Sequence, residues 1–451
     1  MEESENINTK INFRSDSFKK YFKNTSWLLI EKVIRVILGA FVIISITNYL
    51  GPSNFGLYSY ALSFAGIFTV ISTLGIDTIL TRELVKNPEK KNTLLGTGLG
   101  LKSLGALISL LLLLVAVIFT SHDRFTNLLI FIIAAAPIFQ ALNVVDLFFQ
   151  SKVQSKYSVI VQSSSFIIAS IIKLVLILLS ASLLYFAIFT TAEYIFLATG
   201  YLIMYKSKNG EITKWNFKKN TARIMLHDSW PLILSGVVIT IYMKIDQVMI
   251  KQMLGDAEVG YYAAAVRLCE AWYFLPTIVT TSLFPAIVNA KQTNETLYQS
   301  RLQKLYDLLA WAAIAIALPT TFLSKYIIAV LYKPEFYPAA SVLTIYIWAG
   351  VATFLGVASS QYLITENFTK IAFIRTFIGM IVNVILNFIL IPIYGINGSA
   401  FATLISYSAA TFSIYFSRNS RQQTIMMFKS LLFINFFKYL NESWLSHSKK
   451  N

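Results

Sequence analysis

The chain has 451 residues, of which 56% are hydrophobic and only 13% charged, with a formal charge of +16. An ordinary soluble domain carries roughly 25% charged residues, so the apolar excess, reflected in a mean hydropathy of +0.63, has to face lipid. The single cysteine, Cys269, leaves no disulfide framework and no cysteine-based metal site, and the three histidines (His122, His227, His447) are too dispersed for a ligand set.

A bilayer core of ~30 Å takes about 20 apolar residues in helical form. On that measure the sequence predicts an all-α, polytopic membrane protein of about twelve helices: 28–50, 57–80, 96–119, 126–149, 159–179, 182–204, 228–250, 260–288, 305–323, 340–362, 371–391 and 398–416. Residues 1–27 form a basic arm, and no small-residue cleavage site follows the first apolar run, which therefore reads as a retained helix. The chain divides into this arm, a six-helix bundle at 28–204, a basic linker at 205–225, a second six-helix bundle at 226–416 and a basic tail at 417–451. Within the tail, residues 424–440 are apolar but broken by Lys429, Asn435 and Lys438, which reads as an interfacial helix.

With the N-terminus placed inside, the inner loops and termini hold 27 Lys and Arg, the outer loops 4, and the spans 7. That imbalance is the positive-inside pattern and puts both termini in the cytoplasm. It also removes nucleic acid as a partner, because the positive charge acts as a topology device. All outer loops are short, the longest running from Ser324 to Ala339.

The halves repeat. Leu50-Gly51, Gly56, Tyr58 and Ala61 recur as Leu254-Gly255, Gly260, Tyr262 and Ala265, five identities at one offset of 204. Ser26-Trp27 echoes Ser229-Trp230. An even number of helices per half gives the repeats the same topology, hence a pseudo-two-fold axis along the membrane normal, as in transporters.

The block Asn48-Tyr49-Leu50-Gly51-Pro52-Ser53-Asn54-Phe55-Gly56-Leu57-Tyr58 resembles the first hairpin of bacterial polysaccharide (O-antigen, Wzx-type) flippases, as do Gly75-Ile76-Asp77 and Arg82-Glu83. The run Gly395-Ile396-Asn397-Gly398-Ser399-Ala400-Phe401-Ala402-Thr403 resembles that family's last common span. The family belongs to the multidrug/oligosaccharidyl-lipid/polysaccharide exporter superfamily. The resemblance implies a flippase moving polyprenyl-diphosphate-linked oligosaccharide (an O-antigen or exopolysaccharide repeat unit) from the cytoplasmic to the outer leaflet of the bacterial plasma membrane by alternating access. It implies a central cavity, and as partners the lipid-linked glycan, membrane lipids, a coupling proton or sodium ion and a polysaccharide polymerase complex. The rival readings are a membrane-embedded polysaccharide polymerase or ligase and a multidrug antiporter of the same superfamily. An enzyme of that pathway is expected to need a long outer loop.

Ionisable groups at membrane depth cost about 2.5–3.5 kcal/mol each on insertion scales, so they face a cavity or a partner. Glu31 and Arg35 share one face of the first span, either lining a cavity or closing its inner end with Lys32. Lys244 and Asp246 on span seven lie at the depth of Arg267 and Glu270 on span eight. They read either as an ion-pair network or as a basic patch, held by its acids, that meets the substrate diphosphate. Lys173 and Glu193 differ in depth by about one turn across the hairpin of spans five and six. Glu193 is there either to exchange a proton or to pair structurally. The candidate substrate contacts are thus Arg35, Lys173, Lys244 and Arg267, and the coupling or ion-pair candidates Glu31, Glu193, Asp246 and Glu270. Asp77, Lys102, Asp146, Asp228, Asp307 and Arg375 read as interfacial. Asn383 and Asn387 share a face of span eleven, as interhelical glue or a sugar contact. Gly96 and Gly100 form a helix-packing signal. No nucleotide loop, nucleophile elbow or cofactor motif is present, and the sequence predicts no enzyme and no cofactor.

Overall fold

The structure, a computed structural model, describes residues 16–120 and 123–434, with side chains from Ile34 onward except Thr293. The readings placed on Glu31, Lys32 and His122, and on the tail beyond residue 434, lie outside the described side chains. Among the described residues every element is helical. The first lobe comprises α1 (Asp16–Ser72), α2 (Asp77–Lys86), α3 (Lys91–Phe119), α4 (Arg124–Ala134), α5 (Ala136–Gln140), α6 (Val144–Ser151), α7 (Ser155–Leu178) and α8 (Leu183–Ser207). The second comprises α9 (Lys219–Leu254), α10 (Asp256–Glu270), α11 (Phe274–Thr293), α12 (Glu295–Leu331), α13 (Ala339–Tyr346), α14 (Ala349–Thr365), α15 (Thr369–Phe412) and α16 (Arg421–Leu431).

Ten stretches are long and apolar enough to cross a membrane, and two of them are folded in half. Helix α1 turns at Gly51 (φ 70°, ψ 174°) into limbs 16–50 and 52–72, and α15 turns at Gly395 (φ 58°, ψ −140°) into limbs 369–394 and 396–412. Only glycine adopts that second conformation without strain. Counting the limbs separately gives twelve spans in two lobes.

Four spans that the sequence presents as continuous are broken. Span two stops at Ser72 and resumes as α2 after Leu74 and Gly75, both at positive φ. Span eight breaks into α10 and α11 at a 3₁₀ turn, Ala271–Tyr273. Spans four and ten are broken as well, into α4–α6 and α13–α14. Pro137 sits in the first turn of α5, where a missing N–H costs no bond.

The lipid-facing surface is apolar, with Leu107, Leu111, Ile118 and Phe119 exposed along α3. The basic linker packs on the first lobe. The Asn216 backbone lies against Gly96 and the Phe217 ring against Gly100, and the Lys218 N–H donates to Thr97 Oγ1 at 3.1 Å. Gly96 and Gly100 therefore receive a strand of linker, not a helix. Helix α16 docks on α12: Ser430 Oγ donates to Asp307 Oδ1 (2.7 Å), and Tyr306 to Gln423 Oε1 (2.9 Å). It buries Gln423, Thr424 and Ser430 together with Met426 and Met427, and leaves Ile425 and Phe428 exposed.

Candidate functional site

The lobes meet where limb 52–72 of α1 crosses α10. Gly56 lies against the Asp256 carbonyl, and Gly260, its repeat equivalent, against the Pro52 carbonyl. Any Cβ would collide at either position, so the crossing is reciprocal and made of backbone. On the same face the Asn48 amide donates to the Leu331 carbonyl (2.8 Å) and accepts from the Lys333 N–H (2.9 Å). Further along, the same limb runs beside α9. Ser63 Oγ donates to Gln247 Oε1 (2.8 Å), Val70 touches Gly236, and Gly75 approaches Ser229 and Ile233. At the linker-bearing face, Arg82 of α2 pairs with Asp228 of α9 at 2.6 Å. Helix α11 packs instead on α12 and α14 and makes no comparable contact with the first lobe among the described residues. The lobes are thus closed at the Gly51 face and joined along one flank. On limb 16–50 Ile37 and Phe41 are exposed, and no extended contact joins α1 to α11 among the described residues.

Two residues past each crossing glycine stands a buried tyrosine, and each turns into its own lobe. In the first lobe the Tyr58 hydroxyl meets Thr190 Oγ1 of α8 at 2.5 Å. One turn away, Lys173 Nζ of α7 lies 3.1 Å from Glu193 Oε2 of α8.

In the second lobe the Tyr262 hydroxyl donates to Asp246 Oδ2 at 2.7 Å. Thr403 Oγ1 donates to the same oxygen (2.6 Å), and Asn387 Nδ2 to Oδ1 (2.7 Å). Asp246 is 4% exposed, and Asn383, Asn387, Ser399 and Thr403 are fully buried. Asn383 Oδ1, Asn387 Oδ1 and Ser399 Oγ have no hydrogen-bond partner among the described residues. One carboxylate and three unpartnered neutral oxygens around it form a donor set suited to a hard monovalent cation or a proton. Among the described residues no three His, Cys, Asp or Glu side chains converge, which leaves no transition-metal cluster there.

Lys244, Arg267 and Glu270 stay within electrostatic reach of one another, but none forms an ion pair within 4 Å among the described residues. Asp246, two residues from Lys244, points about 200° away around the helix and makes its hydrogen bonds with Tyr262, Thr403 and Asn387, although its charge still reaches Lys244. The expected four-member network is therefore three half-buried charges in one place and a buried acid in another. Arg35 stacks on the Phe166 ring at 5.1 Å and lines a first-lobe cavity of about 180 Å³ with Gln140, Asn143, Asp146 and Gln162.

Several residues read as interfacial are internal. Asp146, Asp307 and Lys102 are 5%, 2% and 3% exposed, and Lys102 pairs with Asp77 at 2.6 Å. Asp228 is the lobe-bridging partner of Arg82, and Arg375 lines a second-lobe cavity. The Tyr58–Thr190 and Tyr262–Thr403 contacts were not singled out in sequence, although the tyrosine recurs at the repeat offset.

A family profile described as "Polysaccharide biosynthesis protein" matches residues 21–291, and one described as "MatE" matches residues 231–389. A probable low-salt glycan biosynthesis flippase of Haloferax volcanii is 26% identical over 204 residues, 44% of this chain and 42% of its own. An uncharacterized membrane protein of Methanocaldococcus jannaschii is 26% identical over 230 residues, 46% of this chain and 51% of its own. The matches span about half the length of these relatives. The lipid II flippase MurJ in an inward closed conformation superposes with a TM-score of 0.69 at 18% identity, covering 91% of this chain and 92% of that one. An inward-facing multidrug resistance MATE transporter superposes at 0.65 with 13% identity, covering 89% and 98%. Both share the two-lobe fold.

Proposed function

The chain belongs to the polysaccharide biosynthesis protein family of the multidrug/oligosaccharidyl-lipid/polysaccharide exporter superfamily, and from that premise we propose that it flips a polyprenyl-diphosphate-linked oligosaccharide across the plasma membrane. The observation that carries this reading is the pair of neighbouring cations, Lys244 and Arg267, that form no ion pair within 4 Å among the described residues. A diphosphate supplies the missing countercharge. Its sugars cannot cross hydrocarbon unaided, because each unpartnered polar group costs several kcal/mol. The lipid tail stays in the bilayer and enters between limb 16–50 and α11.

The basic linker face is cytoplasmic, on the positive-inside pattern. The present arrangement, closed at the Gly51 face, then corresponds to a molecule loaded from inside, and transport proceeds by rocking of the lobes. Asp246 is the coupling carboxylate: its oxygens and those of Asn383, Asn387 and Ser399 take up a sodium ion or a proton. The MatE match keeps a multidrug antiporter as the second reading, separated from the first by substrate alone.

The test is deletion of the gene followed by localisation of the lipid-linked glycan. Glycan retained on the cytoplasmic leaflet supports a flippase. Unpolymerised glycan on the outer leaflet points to a polymerase. Unchanged glycan with loss of cationic-drug efflux points to the antiporter.

A further inference from the structure

Arg375 of α15 is a cation inside the second lobe that the transport argument does not use. Its Nη1 donates to Ser359 Oγ at 2.6 Å, and its Nη2 to the Gly356 carbonyl at 3.1 Å and to Ser360 Oγ. All three acceptors are neutral, and among the described residues no carboxylate lies within ion-pair distance. A guanidinium carries five N–H donors. Two remain without a protein acceptor among the described residues.

The guanidinium borders a cavity of about 280 Å³ between α9, α14 and α15. Its wall is aromatic. The Tyr242 and Tyr407 rings lie 4.5 Å apart at 33°, and the buried Tyr273 hydroxyl makes no hydrogen bond of good geometry. Ile239 and Met243 stand exposed at the mouth. Met243 is seven residues from Gly236 and four from Gln247, hence on the helical face that touches the first lobe. The mouth therefore lies on the side of α9 that is turned toward the first lobe.

We propose that this cavity is a sugar-phosphate subsite, in which Arg375 takes the phosphate oxygens and the tyrosines take the face of the attached ring. Arginine's planar fork suits phosphate in the bidentate manner. Serines hold one edge of it and leave the other to the ligand. The volume admits one ring with its phosphate, not an oligosaccharide, so the rest of a glycan would remain outside it. Assigning the ligand to the transported substrate rests on the flippase reading, whereas the subsite itself does not. A membrane phospholipid headgroup offers the same phosphate without the ring.

The full chain, purified in zwitterionic nanodiscs, is titrated with N-acetylglucosamine 1-phosphate, inorganic phosphate and neutral N-acetylglucosamine, with the thermal unfolding midpoint as readout. The sugar phosphate is expected to stabilise most and the neutral sugar not at all. Arg375→Gln should raise the half-saturating concentration about ten- to hundredfold, the usual loss when a charged hydrogen-bonding group is removed. Arg375→Lys should retain part of the effect. Val357→Phe fills the cavity while leaving the guanidinium and its serines in place, and should abolish binding in a folded protein. No stabilisation of wild type, or equal stabilisation of the Val357→Phe protein, overturns the proposal. So does stabilisation by phosphatidylglycerol in the nanodisc with none by the sugar phosphate. Translocation of lipid-linked glycan by proteoliposomes that show no sugar-phosphate binding leaves the flippase reading standing and removes only the subsite. Binding without translocation does the reverse.

Discussion

The reciprocal glycine crossing sets the most direct test of how the lobes move. In Gly56→Ala the new methyl would lie 2.8 Å from the Gly260 nitrogen and closer still to the Asp256 carbonyl oxygen, whereas ordinary contact begins at 3.4 Å. No flexible side chain can yield, because both neighbours are backbone. The helices must part by more than half an ångström at the tightest point of the Gly51 face. Overpacking of this kind costs about 1–3 kcal/mol, and only the state closed at this face bears the cost. The population ratio should therefore shift about 5- to 150-fold toward the state open there. Spin labels at positions 54 and 257, in a background lacking Cys269, report the separation directly. Wild type should give one short distance and Gly56→Ala an added longer one. Gly260→Ala should do the same, and the double variant should cost less than the two singles summed, since both relieve one contact. A well-folded Gly56→Ala protein with the wild-type distance distribution would refute the reasoning.

Asp246→Asn should leave the protein folded, because an amide can still accept from Tyr262 and Thr403, yet reduce translocation at least tenfold and remove its dependence on sodium or pH, read in proteoliposomes under imposed gradients. Arg267→Ala and Lys244→Ala should lower translocation more than abundance, and abundance falling in step would assign them to structure. Lys173→Met should lower abundance by stranding Glu193 as an unpaired, half-buried charge, and the double change Lys173→Met with Glu193→Gln should restore it, as immunoblotting of membranes would show. Gly96→Ala sets a methyl 2.6 Å from the Asn216 nitrogen and should release the linker, accelerating tryptic cleavage at Lys214 and Lys218.

Residue counting along apolar runs gives depth and says nothing of azimuth, and the fold divides along that line. The twelve spans, the two-lobe arrangement and the depth match of Lys173 with Glu193 all follow from length. The grouping of Asp246 with Lys244 followed from depth alone and failed on rotation, since neighbours two apart on a helix never share a face. The breaks in spans four and eight carry little sequence signal, because a 3₁₀ turn needs no special residue, and the break in span two is marked in sequence only by Gly75. Arg375 counted as four residues from the start of an apolar run. Its position became meaningful only when Ser359, Ser360 and the tyrosines of other helices closed around it.

The repeat explains why the two lobes need not do the same work. Tyr58 and Tyr262 occupy equivalent places beside equivalent glycines, and each reaches a threonine on the sixth span of its lobe, Thr190 or Thr403. What stands beside each tyrosine differs. In the first lobe a carboxylate, Glu193, is met by the tethered ammonium of Lys173, a cation that cannot leave. In the second a carboxylate, Asp246, is met only by hydroxyls and an amide, with unpartnered oxygens around it. A tethered cation fixes its lobe in one electrostatic state. An acid surrounded by neutral groups can exist in two, and only a group with two states can bias a conformational equilibrium. Under the proposed function, the acid beside the second-lobe tyrosine can therefore carry an ion-dependent step that the Lys173-paired acid beside the first-lobe tyrosine cannot.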